Sequence, residues 1–402
     1  MNTPVIILKP HKEESVLRLH MWVFSGAISK IVLDKSYPYD APQEGELVQV
    51  ADHTGKVLAV GHWQIGSIAV RILAFGVDTL PNHFWHDRIT AAWRLRQTLG
   101  LVREDNNTFR LIHGEGDFLP GLVIDVYGDT AVMQAHSIGM HNHRMEIAQA
   151  VTDCVPIIKR VYYKSDDTLP FKAPIEGDKT GYLIGDPLKE ALWALENGLG
   201  FRIDWLTGQK TGFFVDQRES RALLEHYAKG HDVLNMFCYT GGFSVYALRG
   251  GAKTVTSVDV SSKAIELVQD NVSHNFPHAT NHTAVAADAF DFLNAEERKF
   301  DLIILDPPAF AKHRDAIQNA LRGYRRLNAN GIEKIRPGGI LFTFSCSQAI
   351  DKEMFRLAVF SAAAQVGRKV RILHQLHQPA DHPINIYHPE GEYLKGLVLY
   401  VE

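Results

Sequence analysis

From position 233 onward, short apolar runs alternate with longer amphipathic ones. The apolar runs predict strands at Val233–Phe237, Thr254–Val258, Thr283–Ala286, Asp301–Leu305 and Ile340–Phe344. Periodic spacing predicts helices at Phe243–Leu248, Ser262–Asn275, Ala289–Glu297 and about 315–335. Ser261 or Ser262 suits the N-cap of the second. Leu199–Trp205 and Arg218–Lys229 read as a strand and a helix leading in. Lys352–Gln365, Val370–His374 and Leu397–Val401 read as a helix and two strands closing the region. Strand–helix alternation of this kind gives a largely parallel sheet with helices on both faces, here a mixed seven-stranded one.

Upstream the pattern differs. Residues 1–75 predict a small β-rich module, with strands at Glu46–Val50, Val57–Gly61 and Ala69–Ala74 and a helical turn at Ser15–His20. His20-Met-Trp-Val-Phe-Ser-Gly-Ala27 resembles the opening of PUA-type RNA-binding domains. Trp22 and Phe24 read as core residues. Residues 76–195 predict an α+β domain. Its helices are Phe84–Gly100 and His141–Asp153, and its strands Thr108–His113, Leu122–Val126, Thr130–Ala135 and Arg160–Lys164. Ser165–Thr168 and Pro170–Pro174 read as the loop before the third domain, 196–402.

Composition narrows the setting. The chain has 402 residues, 46% hydrophobic and 22% charged, which is ordinary globular usage. No stretch approaches the roughly 20 apolar residues of a membrane helix. The apolar run Val5–Leu8 is too short for a signal peptide. Cys154, Cys238 and Cys346 have no zinc spacing and make no even disulfide set, so no metal is expected and a reducing cytoplasm is. A net charge of −4 gives no global pull on nucleic acid. A local one is available: Lys312, Arg314, Arg322, Arg325, Arg326, Lys334 and Arg336 outnumber Asp315 and Glu333. The alternative is a solvated helix face.

The candidate chemistry starts after the first strand of the alternating region. Cys238-Tyr-Thr-Gly-Gly242 breaks it, a helix follows, and the next strand ends in Asp259, 17 positions after Gly242. A nucleotide-binding unit places its ribose-binding acid about 20 positions on. The turn is neither G-x-G-x-x-G nor a Gly-Lys-Ser/Thr phosphate loop. An adenosine ligand without a phosphate chain fits better, S-adenosylmethionine foremost; the alternative is a βαβ turn with no ligand.

Ligands of open α/β sheets lie beyond the carboxyl ends of the strands. Those ends carry Asp259, Asp288, Asp306 and Cys346. Asp288 reads equally as a helix cap or an adenine contact. Asp306-Pro-Pro-Ala-Phe310 is a rigid loop, typical of methyltransferases acting on nucleobases, able to hold a carboxylate and an aromatic against a planar base. Cys346 on the neighbouring strand end supplies a thiolate. Thiolate attack at carbon 6 of a pyrimidine makes carbon 5 nucleophilic enough to take a methyl group. A cysteine at a strand end is otherwise a small buried hydrophobe. Cys238 reads as a packing residue.

The whole chain resembles the ribosomal large-subunit methyltransferase I family of RNA cytosine-5 methyltransferases. The resemblance rests on Lys210-Thr-Gly-Phe-Phe-Val-Asp-Gln-Arg-Glu-Ser-Arg221, Tyr239-Thr-Gly-Gly-Phe243, Ser257-Val-Asp259, Asp306-Pro-Pro308 and Arg322-Gly-Tyr324. Phe342-Thr-Phe-Ser-Cys-Ser347, Ala380-Asp-His-Pro383 and Pro389-Glu-Gly-x-Tyr-Leu-Lys-Gly396 extend it. It implies a PUA-like domain, an α+β middle domain and a Rossmann-like class I methyltransferase domain. It implies S-adenosylmethionine as donor, S-adenosylhomocysteine as product, and one cytosine of 23S ribosomal RNA as acceptor. Cys346 and Asp306 would be catalytic. Lys210, Thr211, Phe214, Asp216, Gln217, Arg218, Phe237, Tyr239, Thr240, Gly241, Asp259, Val260, Ser261, Asp288 and Ala289, with Asp306, would hold the cofactor. Pro307, Pro308, Phe310, Arg322, Tyr324 and Arg325 would meet the RNA. Ala309 departs from the larger or charged residue expected there. No membrane partner is expected, and a homodimer is compatible. The alternatives are a non-covalent base methyltransferase, making N7-methylguanine or an N-methyl base, and an inert RNA-binding assembly factor.

Overall fold

The computed structural model describes residues 3–170, 177–188, 192–311 and 316–402. The chain forms two compact units, and neither is continuous in sequence. The first comprises Met1–Leu195, Ile203–Val215 and Ala380–Gly391; the second comprises Glu196–Arg202, Asp216–Pro379 and Glu392–Glu402.

The first unit opens with β1 (Val5–Leu8), α1 (Glu14–Leu17), β2 (Trp22–Phe24), β3 (Ile28–Val32), β4 (Leu47–Ala51), β5 (Val57–Trp63) and β6 (Ile68–Phe75). The strands make one sheet, in the order β2-β6-β5-β4-β1-β3, over a core of Ile6, Leu8, Val48, Val50, Val70 and Ile72. The pattern alone missed β1 and β3, which pair with each other. Phe24 is 45% exposed, against the expectation of a core residue. Trp22 is partly buried: its indole N–H donates to Glu115 at 2.8 Å, and its ring meets His388 edge-on at 4.3 Å. His20, His388 and Glu390 put their ligating atoms within 4.8 Å of one another beside it.

Next come α2 (Phe84–Thr98), β7 (Thr108–His113), β8 (Leu122–Tyr127), β9 (Thr130–Ala135), α3 (Ile138–Asn142), α4 (Arg144–Cys154), β10 (Arg160–Lys164) and β11 (Thr180–Ile184). The expected helix His141–Asp153 is two helices. Ser137 caps the first by accepting the Met140 N–H at 3.3 Å, and the chain breaks at His143. The expected loop Pro170–Pro174 lies largely outside the described residues. A second sheet orders β11-β10-β9-β8-β7, with α2 and α4 packed on it.

Arg96 is fully buried on α2 and pairs with Asp117. It also donates to the Arg110 carbonyl and the Asp381 carbonyl, each at 2.7 Å. Asp381 in turn accepts the Arg110 N–H at 3.0 Å. This network pins the late segment Ala380–Gly391 into the early unit. Gly116 completes the fit, since a Cβ there would stand 1.9 Å from the Pro383 oxygen.

A hairpin of β12 (Leu192–Glu196) and β13 (Leu199–Ile203) leads into α5 (Arg218–Tyr227). The alternating region follows as β14 (Asp232–Met236), α6 (Gly242–Arg249), β15 (Thr254–Asp259), α7 (Ser262–Asn275), β16 (His282–Ala286), α8 (Ala289–Ala295), β17 (Phe300–Leu305), α9 (Ile317–Lys334), β18 (Ile335–Ser345), α10 (Lys352–Val366), β19 (Val370–His377) and β20 (Lys395–Val401). The sheet runs β16-β15-β14-β17-β18-β20-β19. Strands β14 to β18 pair in parallel, and β20 runs antiparallel to both β18 and β19. The parallel strands are apolar on both faces because helices cover both. Leu302, Ile304, Phe342 and Phe344 pack with α5 and α6. Ile303, Leu305 and Leu341 pack with α8, α9 and α10. Among the described residues, no helix is long and apolar enough to cross a membrane.

Replacing Arg96 by Met leaves Asp117 buried without its cation, a loss of about 3–5 kcal/mol. Thermal unfolding followed by circular dichroism should show a clear fall in the midpoint. Arg18→Met, which removes an exposed i,i+4 pair, should leave it in place.

Candidate active site at the strand tips

The loop after β14 is tightly wound. Phe237, Tyr239 and Gly241 all adopt positive φ, at 56°, 46° and 78°. Non-glycine residues in that region cost of order 1–3 kcal/mol each. Hydrogen bonds hold the loop in place. Cys238 N–H donates to the Val258 carbonyl at 3.0 Å, and Tyr239 N–H to Asp259 Oδ2 at 2.9 Å. Asn271 donates to the Thr240 carbonyl at 2.8 Å. The glycines have a structural reason beyond ligand approach. A Cβ on Gly241 would come within 2.9 Å of Val268 on α7, and one on Gly242 within 2.9 Å of Arg221 on α5.

Asp259 ends β15 with its other oxygen accepting the Ser261 N–H at 3.0 Å. Ser261 caps α7 by accepting from Ala264 N at 3.3 Å, and Val260 beside it is exposed. Asp288 is exposed and caps α8, accepting from Phe290 N at 2.8 Å and Asp291 N at 3.1 Å through one oxygen. Of its two sequence readings, capping is the one realised in these contacts. Ala289 is buried behind it. Burial pushes the Cys238 thiol well up, and the Asp259 charge adds to this, so Cys238 stays protonated and serves as packing.

Asp306 follows β17, half-buried, and accepts from Gln217 Nε2 at 3.1 Å. Gln217 Oε1 is buried with no hydrogen-bond partner, an acceptor left for a ligand donor. Pro307 is buried and Pro308 exposed. Cys346 is the first residue past β18 and packs on the α5–α6 face beside Phe344. Asp306 directly follows Leu305, the last residue of β17. The register Leu305↔Thr343 makes these two tips neighbours.

Tyr324 is placed differently from the expectation that it meets RNA. It is fully buried on α9. Its hydroxyl accepts from Ser345 Oγ at 2.9 Å and lies 3.0 Å from Ser347 Oγ, so it braces both neighbours of Cys346. Ser347 Oγ also accepts the Ala311 N–H at 3.3 Å, tying the Asp-Pro-Pro loop to the same point. Phe310 lies on Tyr324, ring centres 4.7 Å apart, over Gly323, where a Cβ would reach Phe310 Cδ2 at 3.0 Å. One face of that ring is therefore occupied already.

The basic stretch is also thinner than its composition. Arg336 bridges Asp232 at 2.9 Å and Asp301 at 2.7 Å, and Lys334 donates to the Glu296 carbonyl. Arg326 lies over the Phe290 ring. Arg322 and Arg325 remain exposed on α9, and Lys312, Arg314 and Asp315 lie outside the described residues.

The Lys210–Arg218 segment divides between the two units. In the first, Lys210 is exposed with its ammonium 5.1 Å from the Phe214 ring centre. Thr211 is buried, donating to Asp125 at 2.6 Å. In the second, Gln217 and Arg218 are buried, and Asp216 accepts from the Tyr393 hydroxyl at 2.6 Å. Tyr393 and Lys395 lie inside a motif noted in the sequence but were given no role there. The pairing of β18 with β20 brings that motif to the tip of β18.

A family model described as S-adenosylmethionine-dependent methyltransferase matches residues 174–389, and one described as PUA-like domain matches residues 6–75. The chain is 40% identical over 405 residues to ribosomal RNA large subunit methyltransferase I of Tolumonas auensis, covering 99% of each chain. It is 40% identical over 401 residues to the protein of that name from Alteromonas mediterranea, covering 98% of each. A solved structure described as a candidate SAM-dependent methyltransferase from Streptococcus mutans matches with a TM-score of 0.82 at 23% identity, covering 100% of both chains. At that identity the likeness concerns the fold.

Gly241→Ala should lower stability by about 1–3 kcal/mol, because it combines a positive φ with a close contact on Val268. Val268→Ala relieves the contact and not the backbone strain. In chemical denaturation, the double variant should therefore lose less than the two single losses added together.

Proposed function

This chain belongs to the ribosomal RNA large subunit methyltransferase I family, and from that premise we propose that it forms 5-methylcytosine in 23S ribosomal RNA through a covalent Cys346 adduct. One observation carries the chemistry. Asp306 and Cys346 directly follow the neighbouring parallel strands β17 and β18, at the same end of the sheet where β14 leads into the glycine turn and β15 ends in Asp259.

The residues suit S-adenosylmethionine as donor. Asp259 keeps lone pairs for ribose hydroxyls after accepting its two backbone N–H groups. Gln217 Oε1 awaits a donor at the edge of Asp306. The bound cofactor would supply an electrophilic methyl group. Asp288, Phe237, Thr240 and Ala289 complete the set of residues assigned to it.

The Cys346 thiolate bonds to cytosine carbon 6, and the ring's displaced electron pair is delocalised towards N3, where Asp306 holds the proton that neutralises it. Carbon 5 then takes the methyl group. Loss of the carbon-5 proton to water restores the double bond and expels the thiolate. The substrate-facing groups are the exposed Pro308, Arg322 and Arg325, with Phe310 as the wall behind them. The proposal includes a cytoplasmic setting and the PUA-like module as an RNA anchor.

RNA carrying 5-fluorocytosine should trap the adduct, since fluorine at carbon 5 cannot leave as a proton does. The expected outcome is a denaturation-stable protein–RNA band that Cys346→Ala abolishes. The same variant should lose methyl transfer by about 10³-fold or more. Residual activity near wild type would move the reading to a non-covalent base methyltransferase. Bisulfite mapping of ribosomal RNA with and without the gene locates the methylated cytosine.

A further inference from the structure

Lys395 opens β20 directly opposite Ser345, in the antiparallel register of β18 and β20. It is only 5% exposed, and its ammonium donates to the Ser347 carbonyl at 2.7 Å. Cys346 is the residue between those two contacts. We propose that Lys395 is a positioning residue for the reaction: its ammonium, held against the Cys346 turn, stabilises the Cys346 thiolate and so arms the sulfur. The assignment rests on Cys346 as nucleophile and deepens that reading.

The physical case begins with the cost of the burial. An ammonium taken out of water loses several kcal/mol of hydration unless an anion and good hydrogen bonds replace it. One backbone carbonyl replaces little of that. Among the described residues, no carboxylate forms an ion pair with Lys395. Glu392 pairs with Lys352, and Asp351 is engaged in capping α10, where it accepts the Met354 N–H at 2.7 Å. Tyr324, whose phenol burial pushes up, contributes no charge at the tip. Cys346 is the foremost of the groups whose charge favours the Lys395 cation.

Electrostatics agrees with the geometry. Burial pulls Lys395 down to about 8; Cys346, then Glu392 and Asp351, act in the opposite sense, and Lys352 adds to the lowering. At neutral pH the cation prevails. A thiol beside such a cation ionises below its ordinary value near 8.5, which raises the thiolate fraction at pH 7.

The test reads the ionisation of Cys346 in the full chain. Iodoacetamide labelling is followed across pH, with the Cys346 peptide quantified by mass spectrometry so that Cys154 and Cys238 do not interfere. Wild type should label with a midpoint about one pH unit or more below an ordinary thiol. Lys395→Gln keeps a donor for the Ser347 carbonyl without the charge, and it should raise the midpoint by about one unit. Lys395→Arg should restore most of the difference. A wild-type midpoint at the ordinary value overturns the proposal without recourse to any variant. So does a folded Lys395→Gln protein with an unchanged midpoint.

The 5-fluorocytosine trap separates this from the parent reading. An adduct with an ordinary Cys346 midpoint removes the role of Lys395 and leaves the nucleophile standing. A low, Lys395-dependent midpoint with no adduct supports the charge pairing and removes the cytosine chemistry.

Discussion

The parallel pairing of β17 with β18 is the constraint from which the site follows. Leu305 stands opposite Thr343, so both strands end at the same edge of the sheet. Alternation along each strand then decides direction. Leu302 and Ile304 share a face with Phe342 and Phe344, and Cys346 packs on that face too. A one-residue slip would turn Cys346 to the opposite side. Apolar burial along the sheet thus fixes where the sulfur sits.

What keeps the tips from fraying is a small buried polar cluster. Tyr324 reaches up from α9 to Ser345 and Ser347, and Ser347 in turn holds Ala311 of the loop. Each bond contributes about 1 kcal/mol net. Their value here is geometric, because they hold the residues on both sides of Cys346. The glycine loop follows the same logic. Phe237 and Tyr239 are strained at positive φ, and Asp259 and Asn271 offset that strain from two separate elements. Asp259 therefore ties β15 to the loop whether or not a ribose is present.

Much of this was legible in the chain itself. Strand–helix alternation, an acid closing β15, a double proline and a cysteine at a strand end are local patterns, and all fell at the expected edge of the sheet. The misses come from what a local pattern does not carry. β1 and β3 are short and pair with each other, so neither shows an amphipathic period long enough to read. The resemblance put Tyr324 among the RNA contacts, and nothing local in the sequence shows that Phe310 of an earlier loop covers its ring. Phe24 looked like core because hydrophobicity alone does not distinguish an exposed ring from a buried one. The basic stretch makes the same point, since counting charges along it does not reveal that Arg336 is neutralised by Asp232 and Asp301, far upstream.

The return of Ala380–Gly391 to the first unit has a consequence for how the protein is made. Arg96 and Arg110 await a backbone carbonyl and a carboxylate of Asp381, nearly three hundred positions after Arg96. During synthesis the first unit therefore keeps part of its interior unfilled until Ala380–Gly391, which follows β19, has emerged. Units interleaved along the chain in this way cannot mature one after the other in the usual order of domains. Each is completed by a segment that follows β19, so neither is whole before most of the other has been made.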